Sequence, residues 1–317
     1  MESIGTWWMW LGFFIFVVCA VAVDLLIMNK QGAHKVSLKE AGIWSLLWFS
    51  LAFIFAGILW WYLEAQQGSE FATKKTMEFV TGYLVEKSLS VDNIFVFLMI
   101  FSFFAVPAQY QKRALILGVI GAIVLRAVMI LIGAWLLAQF HWILYVFGIF
   151  LVVTGIKMIW AADKKPDLND NPVLKFVRKR FNVSNDFDGE RLFTVQNGVR
   201  YATPLFLVLV MIAATDIVFA VDSIPAIFAI TSDPFIVMTA NIFAILGLRA
   251  LYFLLADLAD RFHYLSYGLA AVLIFIGAKM LLIDVYKIPI TISLGVVALT
   301  IATSMIVSVV ATKAKGT

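Results

Sequence analysis

Apolar runs of about 20 residues recur along almost the whole chain, and each is long enough to cross roughly 30 Å of hydrocarbon as a helix. A soluble domain has no use for such runs, because it buries one stripe of each helix and leaves the other face polar. High-hydropathy windows broken at polar clusters predict nine spans, near residues 7–28, 41–63, 77–104, 113–138, 141–161, 203–231, 234–256, 263–283 and 289–311. The expected fold class is an all-α polytopic membrane protein. Composition agrees: 63% of the 317 residues are hydrophobic, 14% are charged, and mean hydropathy is +0.97. The start of the chain has neither the basic leader nor the cleavage site of a signal peptide, so the first run is read as a retained span.

In such a chain the formal charge of +4 speaks to lipid headgroups and topology, not to nucleic acid. Lys30, Lys35, Lys39, Lys112, Arg113, eight Lys/Arg between Lys164 and Arg200, Arg261, Lys313 and Lys315 fall in alternate connections. Those sixteen residues face only Lys74, Lys75 and Lys287 in the other set. Positive loops stay inside, which predicts an external N-terminus and a cytoplasmic C-terminus. Cys19 stands alone, so the sequence offers neither a disulfide framework nor a thiolate metal site.

The segment 162–202 is the long hydrophilic connection, read as a cytoplasmic linker without a catalytic motif. The sequence repeats itself across it. "VEKSLSVDNIF" has a counterpart in "ATDIVFAVDSIP", "LRA" at 125–127 recurs at 248–250, and "HWILYVFGIFLVVTGIKM" aligns without gaps to "HYLSYGLAAVLIFIGAKM". The organisation expected is two N-terminal spans over 1–76, repeat one over 77–161, the linker, repeat two over 203–286, and a last span with a short cytoplasmic tail over 287–317. Each repeat has three spans, an odd number, so the copies run in opposite orientations. Inverted repeats of this kind suit alternating access.

Ionisable residues deep in a bilayer cost at least about 2.5 kcal/mol each on insertion scales, and they persist where they face a cavity or a partner. The deep set is Glu86, Asp92, Asp216 and Asp222, with Lys87, Arg126 and Arg249 as charge-compensating cations. Glu86 and Asp92 are six apart, as are Asp216 and Asp222, so the acidic pairs are equivalent under the repeat. Six residues on an unbroken helix separate two side chains by about 120°. A local break at "SVDNI" and "AVDSIP" would bring them together, since Asn and Ser compete for backbone hydrogen bonds and Pro225 cannot donate to the Val221 carbonyl. With Asn93, Ser223, Ser88, Ser90 or Thr215 nearby, the four carboxylates form an all-oxygen set that suits hard divalent ions such as Mn²⁺, Mg²⁺ or Ca²⁺. His34, His141 and His263 fall at span edges or in loops, which disfavours a soft-metal site. Asp24 has two open readings: it borders an inner vestibule, or it reaches the interface.

At these residues the sequence resembles the TerC family of integral membrane proteins, and within it the Alx branch. "YLVEKSLSVDNIFVF" and "VFAVDSIPAIFAITSDPFIVMTANIFAILGLRALYFLL" carry the resemblance, which covers essentially the whole chain. It implies a bacterial inner-membrane protein associated with Mn²⁺ efflux, in a family named for tellurite resistance. It also carries the metal role over to Glu86, Asp92, Asp216 and Asp222, with Asn93 and Ser223 beside them.

Export of a dication from a negative cytoplasm opposes the membrane potential by about 4.6 kcal/mol at 100 mV, from about 2.3 kcal/mol per charge. The sequence shows no phosphate-binding loop of the G-x-x-x-x-G-K-[ST] form, so ATP is not the evident source of energy. Proton antiport is the natural expectation, because metal binding needs the carboxylates ionised. Glu86 and Asp216 are the proton-linked candidates, and Asp92 and Asp222 the central ligands. The expected partners are Mn²⁺ and protons as substrates, the bilayer, and no permanent cofactor. Two other classes stay open. One is a partner in membrane-protein assembly or exoenzyme metalation whose buried charges are structural. The other is an intramembrane aspartyl hydrolase, although four duplicated acids exceed the two it needs.

Overall fold

The computed structural model describes residues 3–31, 37–140, 142–161, 172–196, 198–256, 265–286 and 288–315. His34, His141, His263 and the first ten residues of the linker, 162–171, lie outside them. Eleven helices and one hairpin make up the described chain. In order they are α1 (Trp7–Gln31), α2 (Leu38–Gln67), α3 (Ser69–Phe103), α4 (Ala108–Gln139), α5 (Ile143–Ala161), α6 (Pro172–Arg180), β1 (Phe193–Gln196), β2 (Val199–Ala202), α7 (Pro204–Phe228), α8 (Pro234–Leu246), α9 (Leu248–Ala256), α10 (Leu265–Leu281) and α11 (Ile290–Lys315).

Helix starts follow local chemistry. The Ser37 hydroxyl accepts the Glu40 amide ahead of α2, Asp233 accepts from Phe235 and Ile236 ahead of α8, and Pro204 and Pro234 occupy first turns where no amide is needed. Gly68, at φ +87°, lets the chain turn sharply from α2 into α3.

Among the described residues, α1, α2, α4, α5, α7 and α11 are long and apolar enough to cross a membrane, and α8 with α9 adds a seventh if that pair is one span. The helix α3 has the length but carries seven charged residues, and α10 spans only 17 residues. Polarity is inverted relative to a soluble protein. Trp7, Leu46, Trp61, Val124, Trp135 and Ile306 face outward, whereas Glu78, Glu86, Arg126, Asp216, Asn241 and Arg249 are buried. That arrangement is stable only where the surroundings are themselves apolar. The chain is an all-α polytopic membrane protein.

The two ends of the bundle can be told apart. Lys112 of α4 feels the charges of Asp24, Glu40, Glu190 and Arg249, and Arg113 Nη1 lies 2.9 Å from Glu190 Oε2 in the linker. The described part of the linker is ordered at this end, with Leu174 and Val177 of α6 buried against α7 and its neighbours and β1 paired antiparallel to β2. At the opposite end Ile4 N donates to Asp233 at 2.9 Å, and Trp8 packs edge-on against Tyr62.

The break expected within the acidic motifs is not where the sequence suggested. Both α3 and α7 run through their motifs as continuous helices. Ser88 and Ser90 bond back to the carbonyls of Leu84 and Glu86, four residues earlier in the same helix, so their hydroxyls do not unwind it. Pro225 sits one turn from the end of α7, where one missing amide bond is tolerated. The bend falls instead between α8 and α9, which meet at 41° across Gly247.

Among the described residues α5 and α10 pack backbone against backbone. A Cβ on Gly155 would stand 2.8 Å from the Ala270 carbonyl, and one on Gly277 would stand 2.7 Å from the Gly148 carbonyl. Glycine lets these backbones touch, which in lipid is a main source of helix association.

Candidate functional site

Within the bundle, α3, α4 and α8 each bring one long or polar side chain, and α7 brings two, to the same place. Arg126 of α4 is fully buried. Its Nη1 pairs with Glu86 Oε1 of α3 and donates to Asn241 Oδ1 of α8 at 3.0 Å and to Ser223 Oγ of α7 at 3.3 Å. Its Nη2 donates to Asp216 Oδ1 of α7 at 3.4 Å. Asn241 closes the ring by donating from Nδ2 to Glu86 Oε2 at 3.1 Å.

One guanidinium therefore serves two carboxylates, both almost wholly inaccessible. Arg suits this because its planar fork presents donors in several directions at once. The arrangement is not saturated. Among the described residues, Asp216 Oδ2 and Arg126 Nε are buried with no hydrogen-bond partner. A buried carboxylate oxygen left open costs free energy unless a cation, a proton or water completes it.

Ser90 and Asn93, also buried, lie on α3 one and two turns past Glu86. Asp92 and Asp222 lie in α3 and α7, six residues past Glu86 and Asp216; their side chains are outside the described residues. Among the described residues no group of three or more His, Cys, Asp or Glu is gathered as a metal site. A metal-ligand set here would need Asp92 or Asp222 as well as the described acids.

The family pattern described as "Integral membrane protein TerC family" matches residues 71–316, which contain this entire cluster. The chain belongs to the TerC family. It is 52% identical to the Alx protein of Shigella flexneri over 94% of this chain and 93% of that one. It is also 52% identical to Alx of Escherichia coli K12, over 94% and 92%. With Alx of Photorhabdus laumondii it shares 49% identity over 100% and 99%. Those relatives carry a provisional description as membrane-bound redox modulators. No solved structure matches the chain.

In this TerC protein the other two expected compensating cations are engaged elsewhere. Arg249 makes a two-point pair with Asp24 of α1, Nη2 to Oδ1 at 2.5 Å and Nε to Oδ2 at 3.2 Å. Asp24 thereby holds α1 to α9. Lys87 donates from Nζ to the Ala244 carbonyl at 3.2 Å, in the last turn of α8, where unpaired carbonyls favour a cation. Neither contact follows from the repeat, which makes Arg249 the counterpart of Arg126 but does not say which helix lies beside it.

A cavity of about 490 Å³ opens toward the linker end, lined by Leu98, Phe101, Ser102, Gln111, Tyr252 and Phe253 among others. It lies at least three turns along α3 from Glu86. Its lining includes none of the cluster residues Glu86, Arg126, Asp216, Ser223 and Asn241.

Asn241 was missed by sequence reasoning focused on charge. Its signal is nonetheless present: an amide inside "PFIVMTANIFAIL", where a polar group needs a buried partner.

Proposed function

We propose that the chain is an inner-membrane exporter of Mn²⁺, and of other hard divalent cations to a lesser degree, driven by proton antiport through alternating access. The observation that carries this is the engagement of Arg249 by Asp24. With Arg249 removed from the balance, the formal count of deep charges sets four carboxylates, Glu86, Asp92, Asp216 and Asp222, against two cations, Arg126 and Lys87. Ionised, that set holds two uncompensated negative charges, the complement of one dication or two protons. The open oxygen of Asp216 supports the same conclusion. A purely structural ion-pair network would be balanced, because uncompensated charge in an apolar interior is expensive.

The carboxyl, amide and hydroxyl groups of Glu86, Asp92, Asn93, Asp216, Asp222 and Ser223 form a hard-oxygen set, suited to Mn²⁺. Since metal and protons need the same oxygens, loading one releases the other, which is the coupling an antiporter requires. Nine spans with inverted triplets, α3 to α5 against α7 to α10, fit this reading. In its support, Gly155 and Gly277 are equivalent under the repeat, as are Gly148 and Ala270. The close approaches pair Gly155 with Ala270 and Gly277 with Gly148. That exchange of partners is what a two-fold axis between α5 and α10 would produce. The linker end, rich in basic residues, is then cytoplasmic.

The relatives' description as redox modulators has a weaker footing here. The sequence holds one cysteine, Cys19, so no pair of thiols within the chain can cycle to a disulfide. Mn²⁺ binding to the purified protein, followed by the loss of the free-ion electron paramagnetic resonance signal, tests the proposal. Saturable binding abolished in Asp216→Asn is expected. Equal binding by wild type and variant would remove the site.

A further inference from the structure

Two buried carboxylates among the described residues lie outside the central cluster, Glu78 and Asp233, and only Glu78 shares a helix with Glu86. Glu78 of α3 is two helical turns from Glu86 toward the end opposite the linker, about 12 Å along the axis, and is 6% exposed. Its Oε2 accepts from Thr231 Oγ1 at 2.6 Å and from Lys75 Nζ at 2.9 Å, and Lys279 of α10 is near enough to feel its charge. Thr231 lies in the turn between α7 and α8. Its hydroxyl also accepts the Asp233 amide at 3.2 Å, and Asp233 in turn caps α8 and holds Ser3 and Ile4 ahead of α1.

The position of this contact gives it a consequence. The carboxylates of the central site come from α3 and α7, and Glu78 with Thr231 ties α3 to the turn that ends α7. For the central site to open toward this end, α3 and α7 must separate there, and the tie must break. Glu78 is also the next carboxylate along α3 from Glu86 in this direction, and it is buried. Two interactions compete for the same oxygen: the Thr231 hydroxyl and a departing cation.

We infer that Glu78 and Thr231 form a latch closing the end opposite the linker, and that Glu78 is the exit carboxylate through which a hard divalent cation releases it. The exit role rests on the transport reading above; the latch does not. Lys75 and Lys279 keep Glu78 compensated while the latch is closed, which fits a carboxylate that a cation occupies only in passing.

The test uses Thr81, fully buried one turn inward of Glu78. In a Cys19→Ser background, Thr81→Cys is probed with a membrane-impermeant maleimide in proteoliposomes, with and without Thr231→Val. Valine keeps the shape of threonine and removes the hydroxyl. Thr81→Cys should be protected when Thr231 is present and react about tenfold faster when it is not, the scale of one hydrogen bond to a charged group. Equal rates would overturn the latch. Glu78→Gln separates the second claim: Mn²⁺ binding to the purified variant stays within about twofold of wild type, while Mn²⁺ flux falls about tenfold, because the lost group acts after the central site. Undiminished flux, or binding lost along with flux, would overturn the exit role. If the wild type itself carries no Mn²⁺, the transport reading fails while the labelling rates still decide the latch.

Discussion

Removing the Arg126 guanidinium is the most informative single perturbation of the central cluster, because its cost follows from a count of charges. In Arg126→Met a side chain of comparable reach stays in place, but Glu86 and Asp216, both buried, are left facing each other without a cation. Breaking a buried pair by removing one partner costs about 3–5 kcal/mol. Here the guanidinium also supports Asn241 and Ser223, so the upper half of that range is expected. Adding Asp216→Asn to Arg126→Met restores the net charge of −1 that Glu86, Asp216 and Arg126 carry together when ionised. Glu86 then keeps the Asn241 amide at 3.1 Å, so about 2 kcal/mol should return, roughly half the loss. Equilibrium unfolding in mixed detergent micelles, monitored by tryptophan fluorescence, measures both variants. A loss below about 1 kcal/mol for Arg126→Met would refute the assignment of Arg126 as the shared counter-ion. So would a double variant less stable than the single, because it would show that the two carboxylates do not share it.

Asp24→Asn and Arg249→Met should each destabilise by about 3–5 kcal/mol in the same assay, with Asp24→Leu combined with Arg249→Met recovering most of it, since an apolar pair can replace a buried ion pair at little cost. Gly277→Ala should cost about 1–3 kcal/mol by forcing α10 away from the Gly148 carbonyl. Gly121→Ala, with open space around it, should instead gain about 0.5–1 kcal/mol as a better helix former; the same sign for both would contradict the α5–α10 packing.

The membrane class and most helix positions were legible because hydropathy is a property of contiguous residues, and the apolar runs are contiguous. The site was legible in part for the same reason: Glu86, Arg126 and Asp216 each interrupt such a run. What periodicity cannot supply is the identity of neighbours. Arg126 and Arg249 are equivalent in the repeat, yet one meets Glu86 and Asp216 and the other meets Asp24 of α1, a helix outside the repeat. The bend was misplaced for a different reason. Serine and proline in the acidic motifs looked like helix breakers, but serine back-bonding keeps α3 intact, while the bend falls at Gly247, whose sequence surroundings show nothing unusual. Glu78 escaped notice because it sits at the edge of a span, where a carboxylate ordinarily reaches water; only the structure shows it buried beneath Thr231.

The proposed exchange of metal for protons at Glu86, Asp92, Asp216 and Asp222 predicts linked fluxes of the two. Purified protein in proteoliposomes, with Mn²⁺ flux and internal pH followed together for wild type, Asp216→Asn and Asp92→Asn, tests it most directly. Mn²⁺ movement accompanied by opposed proton movement in the wild type, slowed when an uncoupler collapses the pH gradient and absent in both variants, is the predicted result. Mn²⁺ flux that ignores the gradient, or that survives in both variants, would contradict it.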